Sequence, residues 1–264
     1  MKRHLLMLVL TVWGSSWMTA CVTDSSSSSQ QAVTASERVE PDLDEAARIN
    51  TELGMNYARA GNLELALDKF KRALSQNESY APAHQGIAYI YVLQKDPQRA
   101  EEHYRRALKL SPRNAPASSN YGIFLCGQER YEEAERHFLK AAENRDYRQR
   151  HTAYVNAGVC ARRIPDLDKA ERFFLLALDL SPRFPEALQQ MAGLYLERRD
   201  YAQSKVFLKR YEQVGPPTPA TLWIGAKVEF ALGDEVQAAQ YARRLRDQFP
   251  DSKESLSFTN PYPS

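Results

Sequence analysis

A chain that repeats one spacing of small and large side chains every 34 residues builds itself by stacking like units, because each unit can bury its apolar face only against its neighbour. The spacing is plainest between Ala81 and Pro112. Counting Ala81 as position 1, Ile87 stands at 7, Ala88 at 8, Tyr91 at 11, Ala100 at 20, Tyr104 at 24, Ala107 at 27 and Pro112 at 32. Stepped along the sequence, the ladder fits five more times. A copy from Ala47 places Leu53, Gly54, Tyr57, Ala66, Phe70 and Ala73, with Glu78 where the proline is expected. The copy from Ala115 places Tyr121, Gly122, Leu125, Ala134, Phe138 and Ala141. A two-residue insertion in DYRQR shifts the next copy to His151, giving Ala157, Gly158, Ala161, Ala170, Phe174, Ala177 and Pro182. The last two are looser. From Pro185, Met191, Ala192, Tyr195 and Pro216 fit while Ser204, Leu208 and Tyr211 depart; from Pro219, Gly225, Ala226, Ala238 and Pro250 fit while Glu229 and Ala242 depart.

Two antiparallel helices approach closely only where side chains are no larger than a methyl group, which positions 8 and 20 supply. The larger residues at 7, 11 and 24 fill the flanking space. Proline at 32 ends the second helix, having no donor and clashing with the preceding turn. The ladder resembles the tetratricopeptide repeat. That resemblance implies an all-α fold, a right-handed superhelix (α-solenoid) of six tetratricopeptide repeats over residues 47–252, with first helices lining a concave surface suited to an extended peptide or a partner's helix.

Ahead of the repeats, residues 1–20 carry Lys2 and Arg3, the apolar run LLMLVLTVWGSSWM, and small Thr19 and Ala20 before Cys21. These are the three parts of a secretory signal, and the run is too short for a membrane span of about 20 residues. MTAC resembles the lipobox of bacterial lipoproteins, which implies Cys21 as the acylated first residue of the mature chain; an ordinary signal with an incidental cysteine is the alternative. Val22, where aspartate would imply inner-membrane retention, implies the outer membrane. Residues 21–46 then read as the acylated cysteine and a serine-rich disordered tether that gives way near Asp42 to the first helix, its coil reaching roughly 25–30 Å. Residues 253–264 read as a loose C-terminal tail.

Removing Lys2 and Arg3 with the signal leaves as many basic as acidic residues, 33 of each. A neutral chain disfavours nucleic-acid binding. No GxSxG, HExxH, Walker or Rossmann pattern occurs, so no enzyme, cofactor, metal or small-molecule substrate is expected. His103 and His137 share position 23 of their repeats and are register equivalents rather than a site. Cys126 and Cys160 lie in first helices of adjacent repeats; in an oxidising compartment they are within reach of a disulfide, the alternative being two small buried thiols.

The lipobox, polar tether and six repeats, together with SNYGIFLCGQERYEEAERHFLKAAEN and NAGVCARRIPDLDKAERFFLLALDLSP, resemble the pilotin lipoproteins of type IV pilus biogenesis, the PilF/PilW family. The resemblance implies a non-enzymatic lipoprotein on the periplasmic face of the outer membrane, which binds the pilus secretin and promotes its localisation and multimerisation. An envelope adaptor regulating peptidoglycan synthases or hydrolases is the alternative. Groove-facing positions 2, 5, 9, 12 and 13 offer Met55 and Arg59 in repeat one, Tyr89, Val92 and Leu93 in repeat two, and Ile123 in repeat three. Repeat four offers Val155, Val159, Arg162 and Arg163, and repeat five polar Glu186, Gln189 and Glu197. Apolar groove residues are therefore expected to concentrate in the amino-terminal half, with Tyr89 and Leu93 anchoring the partner.

Overall fold

A computed structural model describes residues 42–164 and 166–257, and its regular elements are all helices. The signal, Cys21, most of the tether and residues 258–264 lie outside the described residues. Six antiparallel helix pairs follow one another: α1 (Leu43–Arg59) with α2 (Leu63–Gln76), α3 (Ala81–Leu93) with α4 (Pro97–Leu110), and α5 (Ala115–Gly127) with α6 (Tyr131–Glu143). Then come α7 (Arg150–Ala161) with α8 (Leu167–Leu180), α9 (Pro185–Glu197) with α10 (Tyr201–Glu212), and α11 (Pro219–Ala231) with α12 (Glu235–Gln248). First helices also lie side by side, α1 on α3 and so on to α9 on α11, so the pairs stack into the expected solenoid.

The turn inside five of the six pairs shares a signature of its own. At position 15 the chain enters the left-handed region, with φ of 80° at Gly61, 59° at Lys95, 61° at Glu129, 60° at Arg199 and 82° at Gly233. One residue on, Asp96, Asp166, Asp200 and Asp234 cap the second helix, each accepting a hydrogen bond from the amide three residues ahead. Such a cap satisfies a donor that the helix itself leaves open.

Close packing inside each pair follows the small-and-aromatic rule. A Cβ on Gly122 would lie 2.8 Å from Phe138, and one on Gly158 only 2.4 Å from Phe174. Phe70 serves two repeats, since a Cβ on Gly54 would meet its ring at 2.7 Å and one on Gly86 at 2.4 Å. The sixth repeat keeps the device one residue out of register: Gly225 at position 7 faces Tyr241 at position 23, at 2.7 Å from such a Cβ. Its odd residue, Glu229, is 1% exposed and receives a hydrogen bond from Lys205 Nζ of the preceding repeat at 2.7 Å, so a buried carboxylate is paired rather than stranded.

The first helix starts at Leu43, next to the Asp42 where the tether is expected to give way, because Asp42 caps it by accepting from the Asp44 and Glu45 amides; residues 43–46 are therefore helix and not tether. One further expectation needs amending. The tail is not loose throughout: Ser252 caps a single turn, α13 (Lys253–Leu256), which packs on α11 and α12.

Positions 4 and 23 also meet. Ser118 Oγ lies 3.2 Å from His137 Nδ1, and His84 Nδ1 lies 3.0 Å from His103 Nδ1. His84 Nε2 donates to the Glu78 carbonyl at 3.2 Å, so in the neutral pair its Nδ1 is the acceptor and His103 Nδ1 the donor. Burial holds all three imidazoles below the ordinary histidine range, helped at His103 by the charge of His84 and at His137 by Lys140 and Arg136.

Two outcomes are expected. Gly158→Val should cost about 1–3 kcal/mol of stability in chemical denaturation, since the fully buried Phe174 ring has nowhere to move; an unchanged midpoint would contradict the close approach. Because the unfolded chain binds protons near pH 6.5 and the folded one at lower pH, the histidine contribution is complete above about pH 6.5 and is lost as pH falls through the folded values. The thermal midpoint should drop over that window, and His103→Gln should make the drop shallower.

Candidate functional site

Packing uses up one side of each first helix and leaves the other to solvent. On α3, Ile87, Ala88, Ile90 and Tyr91 are buried, whereas Tyr89 and Leu93 are each 43% exposed and Val92 is 36% exposed. Ile123 on the adjoining α5 is 50% exposed. Met55 on α1 is half-buried against the core, and Arg59 is exposed with Nη1 donating to Asn56 Oδ1 at 2.9 Å. The structure thus brings the sequence-derived groove residues of repeats one to three onto three neighbouring helices, as an open apolar strip. In repeat four Val155 is buried, so that position offers no docking surface, while Val159 remains exposed.

The expectation that apolar groove residues concentrate in the amino-terminal half fails at the sixth repeat. Positions 5 and 12 of α11 are Trp223 and Phe230, and with Leu196 of α9 and Ile224 they floor a cleft of about 1130 Å³ between α9, α11 and α13. Position 9 is Lys227, whose Nζ sits 4.9 Å from the Trp223 ring centroid. At the cleft's near end Arg162 donates to Gln190 Oε1 at 2.7 Å and pairs with Glu197. The groove-position rule, carried one repeat further, finds Trp223, Lys227 and Phe230. It does not find the cleft, whose far wall is α13 and lies outside the repeat pattern.

Across the outer side, carboxylates at position 21 stitch one repeat to the next. Glu101 accepts from Tyr121 Oη at 2.9 Å and from Arg130 Nη1 at 2.7 Å, and Glu135 accepts from Lys169 Nζ at 2.7 Å. Burial raises the Glu101 carboxyl, but these donors together with the Arg105 charge outweigh it and hold the group below the usual carboxylate range. The first helices of repeats three and four are joined covalently: Cys126 and Cys160 form a disulfide with Cα atoms 5.9 Å apart. The bond crosses the junction that carries the two-residue insertion.

Among the described residues no group of three or more histidine, cysteine or acidic side chains is placed to hold a metal, and no helix is long and apolar enough to cross a membrane.

Residues 45–113, 92–148, 125–185 and 220–252 each match a family model described as tetratricopeptide repeat. The type IV pilus assembly protein PilF of Pseudomonas aeruginosa is 30% identical over 215 residues, covering 81% of this chain and 85% of that protein. The solved structure of Pseudomonas aeruginosa PilF matches with a TM-score of 0.73 at 31% identity, over 83% of this chain and 98% of that one. The structure of PilW, described as a widely conserved type IV pilus biogenesis factor, matches with a TM-score of 0.72 at 29% identity, over 81% and 98% of the two chains.

For the disulfide, protein purified without reductant should show neither Cys126 nor Cys160 reacting with an alkylating reagent in denaturant. Reduction should lower its thermal midpoint, a loop of this length contributing about 3–4 kcal/mol on the chain-entropy account. Quantitative alkylation of both before reduction would remove the bond.

Proposed function

Because the chain belongs to the PilF family of tetratricopeptide proteins of type IV pilus assembly, we propose that it is the pilotin of a pilus machine. It is a non-enzymatic adaptor, acylated at Cys21 and held at the periplasmic face of the outer membrane, that binds the pilus secretin and promotes its localisation and assembly into a ring. The observation that carries this reading is the strip of Tyr89, Val92, Leu93 and Ile123. Four large apolar side chains stay exposed on neighbouring helices although the same helices bury their packing positions almost completely. An exposed apolar surface of this kind marks an interaction site, and a secretin segment laid along it would remove the strip from water. Tyr89 and Leu93 are its anchors, with Met55 and Arg59 at the margin. Acyl chains on Cys21, at about 0.8 kcal/mol per buried methylene, supply the attachment to lipid without a spanning helix.

The test is made in cells that assemble the pilus. Leu93→Glu alters a side chain that is 43% exposed and should change stability by no more than about 1 kcal/mol, yet abolish formation of secretin multimers. A variant that folds normally and supports full assembly would refute the strip as the secretin site. In the same cells Cys21→Ser should leave the outer-membrane fraction, and its retention there would refute the anchor alone.

A further inference from the structure

The cleft of repeats five and six differs in chemistry from the apolar strip. Its floor is Leu196, Trp223, Ile224 and Phe230, and its rim carries Arg199, Lys227 and Lys253. The three rim cations are exposed. Among the described residues Arg199, Lys227 and Lys253 make no ion pair; the two acids lining the cleft are Glu197, already taken by Arg162, and Glu254. Lys227 instead lies over the Trp223 ring, which keeps its charge beside the apolar floor.

We infer that this cleft is a second docking site, separate from the strip on repeats one to three, for a protein segment that carries both carboxylates and large apolar side chains. Complementarity of charge selects the occupant. An acidic residue entering beside Lys227 or Arg199 gains a partner in a partly desolvated setting, whereas a basic segment meets like charges there. The apolar floor supplies the remaining attraction, with Trp223 as a rigid anchor of the kind that dominates interfaces. At about 1130 Å³ the cleft exceeds the roughly 300–1,000 Å³ of a small-molecule pocket, which suits a peptide. The inference does not depend on the secretin reading.

The probe is a phage-displayed library of random 12-residue peptides, panned on the full-length protein. Enriched peptides should combine Asp or Glu with Phe, Trp or Leu. They should lose about tenfold or more in affinity towards Trp223→Ala and towards Lys227→Glu, the scale of one interface anchor, and bind Leu93→Glu unchanged. Lys227 is exposed, so its substitution tests the idea even where Trp223→Ala disturbs folding. Enrichment without acidic residues, affinity unaltered by Lys227→Glu, loss confined to Leu93→Glu, or no enrichment would each overturn the site. Lys227-dependent binding of phosphatidylglycerol vesicles in place of any peptide would overturn it too, by making the cleft a headgroup surface.

Discussion

Everything in this solenoid depends on how near two helix backbones can come within a pair. The distance is set by an aromatic ring lying flat against a residue with no side chain to speak of: Phe70 on Gly54, Phe138 on Gly122, Phe174 on Gly158. Because protein interiors are packed as densely as organic crystals, the ring and the missing Cβ form a gauge that fixes the tilt of each pair. The angle between successive pairs follows, and so does the line of first helices along which the candidate surfaces run. Where Ala88 or Ala192 replaces glycine, the ring is Tyr104 or a leucine, Leu208, takes its place, so the gauge is reset locally without being lost.

The fold was legible in the sequence because this gauge repeats. One glycine facing one phenylalanine is unremarkable in any helical core, but five small residues in register with five large ones, and a sixth pair shifted by one, leave no other architecture. The exceptions were legible less well. Glu229 reads as a broken position until Lys205, 24 residues earlier, is seen beside it, and a pairing between different repeats has no fixed spacing to betray it. Tyr241 reads as out of register until Gly225 is seen to have shifted with it. The left-handed turn at position 15 recurs in five repeats and the capping aspartate after it in four, and only their lack of bulk keeps them from standing out as the core ladder does.

The site was legible by halves for a related reason. Tyr89, Val92, Leu93 and Ile123 could be placed on a solvent-facing side because the repeat geometry assigns sides, and an apolar residue on a wet side is conspicuous. The cleft at the other end requires α13, a turn that belongs to no repeat, and its character comes from what its cations lack rather than from any residue type. A pattern in sequence records what is present at a spacing. It does not record an absent carboxylate in space.

The disulfide has a consequence for how the molecule comes apart. A linear array in which each unit touches only its neighbours unravels from the ends, one pair after another, with no global event required. Cys126 and Cys160 fasten the first helices of the two middle pairs. Fraying that begins at either end therefore runs into a covalently held centre, and from that centre the lost pairs can zip back outward without a new nucleation step. The bond acts as a seed kept in reserve, so that a frayed array recovers from its middle rather than starting again.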